Sequence, residues 1–216
     1  MVMGNIGSIL NVLPMSPSAS LWGARSVSAQ VQLISACNTV IRFVTGALID
    51  YFSPPPFALG APRNTISRLA FLWLACVLLA CIYGYVAIFV QYQSQVWVLS
   101  VGAGIAYGAI WTVMYVWLFH SLENISHVIF SPSITKIAWG EANVGRNFGL
   151  ISYAPFLGTP LWTFLFAFDV DHESAGSDQQ CRGPKCWRLT FQLATVALLG
   201  TAAALIPLWK KWKHKV

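Results

Sequence analysis

An arginine within an apolar segment is the residue of this sequence with the most evident chemistry. Arg42 follows Asn38 and precedes Gly46 in an apolar run from about 27 to 51. These three positions recur every four residues, so in a helix they share one face. Arg42 lies about 8 residues, or roughly 12 Å, before the charged end of the run, too deep for its side chain to reach water easily. A cation, an amide and a glycine that leaves space on the same face suit the binding of an anionic solute.

A guanidinium at this depth has two explanations. A central arginine costs about 2.5–3.5 kcal/mol on insertion scales, so it normally faces a bundle interior or a water-filled path and finds a partner. In the first explanation, Arg42 binds a solute that crosses the bilayer. In the second, Arg42 only pairs with a carboxylate on a neighbouring helix. The residues alone leave both explanations open.

The composition places this segment in a membrane. The chain has 216 residues, of which 56% are hydrophobic and 9% are charged, with a mean hydropathy of +0.62. Soluble domains carry about 25% charged residues, and several runs here exceed the roughly 18 apolar residues that a spanning helix needs. We predict an all-α membrane protein, a single transmembrane domain over 1–216. Its predicted spans are 1–13 (partial), 27–51, 69–90, 96–119, 147–168 and 189–209.

Basic residues predict how these spans are oriented. The loop 52–68, the region 120–146 and the C-terminal tail fall on one side and hold most of the lysines and arginines, which places that side in the cytosol. The net charge of +6 is concentrated in the tail, at Lys210, Lys211, Lys213 and Lys215. This pattern indicates lipid headgroups as the partner of the basic residues, and no nucleic acid.

Two cysteines flank a short polar loop between the last two predicted spans. Cys181 and Cys186 enclose Arg-Gly-Pro-Lys, and this spacing favours a local disulfide if the loop faces an oxidising compartment. His172 alone does not supply the further ligands that a zinc site would need. We therefore predict a disulfide and no metal site.

Further polar and aromatic residues are candidates for a solute path. Asn5 is a polar neighbour for Arg42, and Tyr107, Trp111 and Tyr153 are aromatic candidates, although an aromatic stripe more often packs than binds. Pro155 and Pro160 are expected to interrupt the helix around Tyr153, which membrane helices tolerate beside a cavity. Charged residues at the predicted cytosolic ends could hold one conformation of a rocking bundle, or merely form polar helix ends; they are Asp50, Arg63, Arg68, Glu141 and Arg146.

Enzyme chemistry has no support in the sequence. It contains no nucleophile elbow, no phosphate loop, no HExxH motif and no clustered histidines. We predict that the protein is not an enzyme and needs no cofactor.

Three stretches carry a resemblance to a known family. They are Gly4-Asn-Ile-Gly-Ser8, the long stretch from Trp139 to Pro160, and Cys186-Trp-Arg-Leu-Thr-Phe191. With them the chain resembles the C-terminal half of a major facilitator superfamily transporter. It is most similar to the fungal homologues of monocarboxylate transporters, in the nodulin-like branch. The resemblance covers essentially the whole chain.

This resemblance implies a fold and a mechanism. Residues 1–13 would be the end of helix seven, the other spans would be helices eight to twelve, and an N-terminal half would be missing. Two halves would rock around a midplane site in the vacuolar membrane. In monocarboxylate transporters an Asp and an Arg four residues apart on helix eight bind the proton and the anion. Asn38 and Arg42 occupy these positions. The arginine is kept, which preserves an anion site, whereas the acid is replaced by an amide that does not titrate. A proton as second solute would therefore need a group other than residue 38.

The length of the chain has two explanations. One is a truncated half-transporter whose partner half is encoded upstream. The other is an inactive or regulatory half-transporter that performs no transport of its own.

Overall fold

The protein is helical throughout most of the part that the structure describes. The structure is a computed structural model, and it describes residues 2–14, 26–52, 66–114, 116–117, 130–131, 144–175 and 181–212. Its helices are α1 (Val2–Val12), α2 (Val27–Phe52), α3 (Arg68–Phe89), α4 (Val96–Met114), α5 (Val144–Ala175) and α6 (Lys185–Trp212). A 3-10 turn, Gln93–Gln95, precedes α4, and two short strands, β1 (Val116–Trp117) and β2 (Phe130–Ser131), pair antiparallel. The predicted all-α fold class is confirmed.

Four helical stretches are long and apolar enough to cross a bilayer. They are Val27–Ile49, Arg68–Phe89, Gln93–Met114 and Lys185–Lys211. Large apolar side chains such as Phe43, Phe156 and Val196 are exposed along the helices. Side chains of this kind on a soluble surface would be costly, whereas in a bilayer they contact lipid tails. The chain is an integral membrane protein.

Two predicted spans differ from the helices. Within the predicted span 96–119, α4 ends at Met114 and Val116–Trp117 belongs to the strand pair; the membrane span itself stays a prediction. The span 147–168 is longer, since α5 continues to Ala175. Pro155 and Pro160 do not interrupt α5, because a proline removes one backbone hydrogen bond while the flanking turns keep theirs. A membrane crossing by α5 and by α1 stays a prediction.

The helices pack in a series. α2 packs on α4, α4 on α3, α3 on α6, and α6 on α5. The short helix α1 contributes Ile6 and Ile9 to the apolar core, which also contains Trp187 and Phe191 near the start of α6. The core therefore joins the first and last helices of the chain.

Small residues bring α2 and α4 into close contact. A Cβ on Gly104 would lie 2.7 Å from the carbonyl oxygen of Ile34, and one on Gly108 would lie 2.8 Å from that of Asn38. One step earlier along both helices, Ser100 Oγ donates a 2.5 Å hydrogen bond to Gln30 Oε1. These contacts advance by four residues on each helix in the same sense, so α2 and α4 run parallel with a small-residue interface.

The C-terminal end of α1 is held by two loops. The last carbonyl groups of a helix lack intrahelical partners. Gln93 Nε2 donates to the carbonyl oxygens of Leu10, at 2.8 Å, and Leu13, at 3.0 Å. Gly183 has φ = +93°, a conformation that favours glycine, and its N–H donates to Val12 O at 2.9 Å. The end of α1, the turn before α4 and the loop before α6 therefore lie at the same end of the bundle.

Candidate functional site

Arg42 and Asn38 are joined as their spacing predicts. Arg42 Nε donates a 2.8 Å hydrogen bond to Asn38 Oδ1 one turn earlier on α2. Arg42 is exposed, while Asn38 is half-buried with its carbonyl against α4. Among the described residues the guanidinium forms no ion pair with a carboxylate. Asn38 therefore orients the guanidinium by one nitrogen, and the two terminal nitrogens remain available as donors for an oxyanion.

Arg42 lies well inside the helix that carries it. From the start of α2 at Val27 to Arg42 is about 22 Å, and from Arg42 to its end at Phe52 is about 15 Å, at 1.5 Å per residue. A hydrocarbon core is about 30 Å thick, so neither interface is within easy reach of the side chain.

Two aromatic candidates on α4 lie near the same depth. Because Asn38 is level with Gly108, the parallel register places Arg42 level with the turn that contains Trp111. Tyr107 contacts Trp111 edge to face, with 5.9 Å between ring centroids. Tyr107 is 41% exposed. The Tyr107–Trp111 pair on α4 therefore lies at about the same depth as the guanidinium of Arg42 on α2.

Asn5 lies on α1 and is buried. Only 9% of its surface is exposed, and it already interacts with a neighbour. It lies about 12 Å along the chain from Leu13, near the middle of the bundle. Asn5 therefore belongs to the interior and is not an open ligand in this structure.

Tyr153 lies apart from the other candidates. It is on α5, 62% exposed, with its ring edge to face against Phe156. α5 packs on α6 rather than on α2. No described contact joins Tyr153 to Arg42, so the structure does not bring these two candidates together.

The candidate gating residues fall mostly outside the described part of the chain. Arg63 and Glu141 lie outside the described residues, and for Asp50 and Arg146 the structure describes only the helix backbone. Arg68 is the exception: it opens α3 next to the N-cap Ser67, is 6% exposed and has an interaction partner. A charge that is buried at a helix start and already engaged is compatible with either gating or a structural role.

The structure joins Cys181 and Cys186 in a disulfide, with 5.9 Å between their Cα atoms. Cys186 is fully buried next to Trp187 in the core. Because Gly183 within this loop donates to Val12, the disulfide closes the loop that holds the end of α1.

A buried carboxylate was not among the candidates from the sequence. Asp169 of α5 is 6% exposed, and its Oδ2 accepts hydrogen bonds from Thr190 N at 3.0 Å and Thr190 Oγ1 at 2.9 Å. The sequence showed Asp169 only as the first residue of an acidic stretch. Its position directly after an apolar run was the available signal, but its partner on α6 required the packing of the two helices.

Comparison with known proteins identifies the class. Over 99% of its length the chain is 25% identical to the "Probable transporter mch1" of Aspergillus fumigatus, and over its full length it is 28% identical to that of Yarrowia lipolytica. The chain is a homologue of these fungal transporters. The "Probable transporter MCH1" of Saccharomyces cerevisiae is 20% identical over the full chain. No family model and no solved structure matches the chain.

The chain spans only part of its MCH1 relatives. It covers 36% of the Aspergillus protein and 40% of the Yarrowia protein. The predicted resemblance to the fungal monocarboxylate-transporter homologues is confirmed, and the relatives support a role in transport. The substrate, the membrane and the activity of the whole protein are matters for a proposal.

Proposed function

We propose that this chain is the C-terminal half of a carrier that moves a small anionic solute by alternating access, and that Arg42 binds the anionic group. The observation that carries the proposal is a guanidinium deep within α2 whose recorded partner is the neutral amide of Asn38. No carboxylate among the described residues neutralises this charge, so an anionic ligand at this depth would stabilise it strongly.

The surroundings of Arg42 support a binding site rather than a lipid contact. Successive helix residues are about 100° apart, which puts Arg42 on a flank of the α2 surface that meets α4. About the axis of α4, Tyr107 and Trp111 are rotated away from the α2–α4 contact in the direction opposite to that of Arg42 about the axis of α2. Since the two helices are parallel and face each other, Arg42 and the two aromatic residues lie on the same side of the helix pair. The strongly exposed Phe43 and Val40 lie on other faces of α2, away from this side.

The proposal includes the setting of the carrier. The second half of the cavity comes from an N-terminal half, and the two halves rock around the midplane. We place the protein in the vacuolar membrane with the lysine-rich C-terminus in the cytosol, because basic residues favour the cytosolic side. The disulfide between Cys181 and Cys186 is then on the luminal side, where oxidising conditions favour it.

The test compares two replacements of Arg42 in the assembled carrier, with the N-terminal half that the proposal requires. Uptake of a panel of radiolabelled monocarboxylates and other small anions is measured in sealed vesicles. Arg42→Ala should lower uptake of the transported anion about 10- to 100-fold, because it removes a charge-assisted hydrogen bond between the guanidinium and the anion. Arg42→Lys should retain part of it, because the charge remains but the Nε bond to Asn38 is lost.

Thr39 provides a matched control on the same helix. It is exposed and its hydroxyl only donates to the carbonyl oxygen of Ser35, so Thr39→Ala should leave uptake near the unmodified level. Unchanged uptake of every transported anion in both Arg42 variants would remove Arg42 from the mechanism. No uptake of any anion by the assembled, folded carrier would favour the inactive half-transporter.

A further inference from the structure

A charged cavity lies at the end of the bundle that carries the disulfide loop. It has a volume of about 390 Å³ and lies between the last turns of α5 and the first turns of α6. Asp169, His172 and Glu173 line it from α5, and Lys185 and Arg188 line it from α6. Acidic and basic side chains thus come from opposite helices. The two carboxylates and the two cations among these side chains balance in charge.

Arg188 has a guanidinium nitrogen without a hydrogen-bond partner among the described residues. This nitrogen, Nε, is sealed from solvent. Buried polar groups of this kind normally have a partner. Because Nε itself is sealed, the nitrogens of Arg188 that can meet an acceptor in the cavity are the two terminal ones, and no ion pair within the described part of the chain occupies them. Thr190 donates both of its hydrogen bonds to Oδ2 of Asp169, and among the described residues Oδ1 accepts none.

An apolar surface continues from this cavity into the membrane. Phe168 and Leu189 line the cavity and are strongly exposed. Further exposed apolar side chains follow on both helices toward the bundle middle: Phe164 and Leu161 on α5, Leu193 and Val196 on α6. A charge-balanced cavity above a continuous apolar strip fits a molecule with a zwitterionic head and hydrocarbon tails.

We propose that this cavity binds the headgroup of phosphatidylethanolamine and that the acyl chains follow the apolar strip. Lys185 and Arg188 bind the phosphodiester, which lies at the N-terminal end of α6 where the helix dipole also favours an anion. Glu173 and the free oxygen of Asp169 accept hydrogen bonds from the ammonium group. A choline head has no N–H to donate, and an anionic head would leave both carboxylates without a cation.

Lipid retention on the purified, detergent-solubilised chain tests the proposal. Native mass spectrometry measures bound lipid after addition of equal amounts of phosphatidylethanolamine, phosphatidylcholine and phosphatidylglycerol with identical acyl chains. The chain should retain phosphatidylethanolamine about tenfold more than either other lipid, as one charge-assisted bond would give. The double variant Lys185→Gln/Arg188→Gln should lose about tenfold of that retention.

Two further variants make the result decisive. Arg182→Gln removes an exposed positive charge in the disulfide loop, outside the cavity lining, and should leave retention unchanged. Glu173→Gln removes one of the two carboxylates at an exposed position, so it should reduce the preference for ethanolamine over choline while phospholipid binding persists. Equal retention of all three lipids, stronger retention of phosphatidylglycerol, or an unchanged preference in Glu173→Gln would overturn the proposal. Because Arg42 has no part in the assay, these outcomes are independent of transport.

Discussion

At the scale of single residues, Asp169 connects α5 to α6 by two hydrogen bonds to Thr190. We predict that Asp169→Ala lowers the free energy of unfolding by about 1–3 kcal/mol, because the buried hydroxyl and amide of Thr190 lose their acceptor. Asp169→Asn should cost less, since its amide oxygen can still accept. Thermal unfolding of the purified variants in one detergent measures the difference.

Asp171 supplies the control, because it is an exposed acid on the same helix. Asp171→Ala should leave the unfolding temperature nearly unchanged. In a double-mutant cycle, Asp169→Ala and Thr190→Val should be less than additive. Full additivity of the two would show that the hydrogen bonds contribute no coupling energy.

Contacts between residues on the same helix can be predicted from the sequence better than contacts between different helices. Asn38 and Arg42 are four residues apart on one helix, so their hydrogen bond follows from helix geometry alone. Asp169 and Thr190 are on different helices, and only the packing of α5 on α6 brings them together. Tyr153 shows the converse: its sequence position near two prolines suggested a cavity, yet it contacts Phe156 on its own helix.

At the scale of elements, the glycines of α4 determine how closely it approaches α2. We predict that Gly104→Ala destabilises the protein by about 1–3 kcal/mol, because the added methyl group would overlap the backbone of Ile34 and push the helices apart. In an isolated helix the same substitution is favourable by about 0.5–1 kcal/mol, so packing must reverse its sign. Unfolding of the Gly104→Ala variant in detergent measures the net change in the free energy of unfolding, and its sign shows whether packing outweighs the helix preference.

Gly200 of α6 is the matched control, since a Cβ there has no atom within 4 Å. Gly200→Ala should be neutral or slightly stabilising. A stabilising Gly104→Ala would contradict the close α2–α4 contact.

Element existence was more predictable than element ends. The glycines of the sequence 102–108 are typical of close helix packing, and Gly104 and Gly108 contact α2 in the structure. Apolar residues continue past Met114, where α4 ends, so apolar composition alone did not indicate the end of this helix. The charged residues from Asp169 onward also belong to α5, which continues to Ala175, so the end of an apolar run did not mark the end of this helix.

At the scale of the whole molecule, the connections alternate between two ends of the bundle. Gln93 and Gly183 both contact the end of α1, so the turn before α4 and the loop before α6 share one end with it. The backbone N–H of Ile66 donates to Phe52 O at 3.0 Å, which closes the connection between α2 and α3 at the other end. The two ends of the bundle therefore carry different connections between helices, and an orientation experiment can determine which end faces the cytosol.

The last prediction concerns which end faces the cytosol. Ser94 lies in the turn before α4 and Lys211 near the end of α6, and both are exposed at opposite ends. In sealed vesicles with the cytosolic side outward, and with the three free cysteines replaced by alanine, Lys211→Cys should react with a membrane-impermeant maleimide. Ser94→Cys should react only after permeabilisation, because the basic tail holds its end of the bundle on the cytosolic side. The reverse pattern would invert the proposed orientation and place the disulfide loop in the cytosol, where reducing conditions disfavour it.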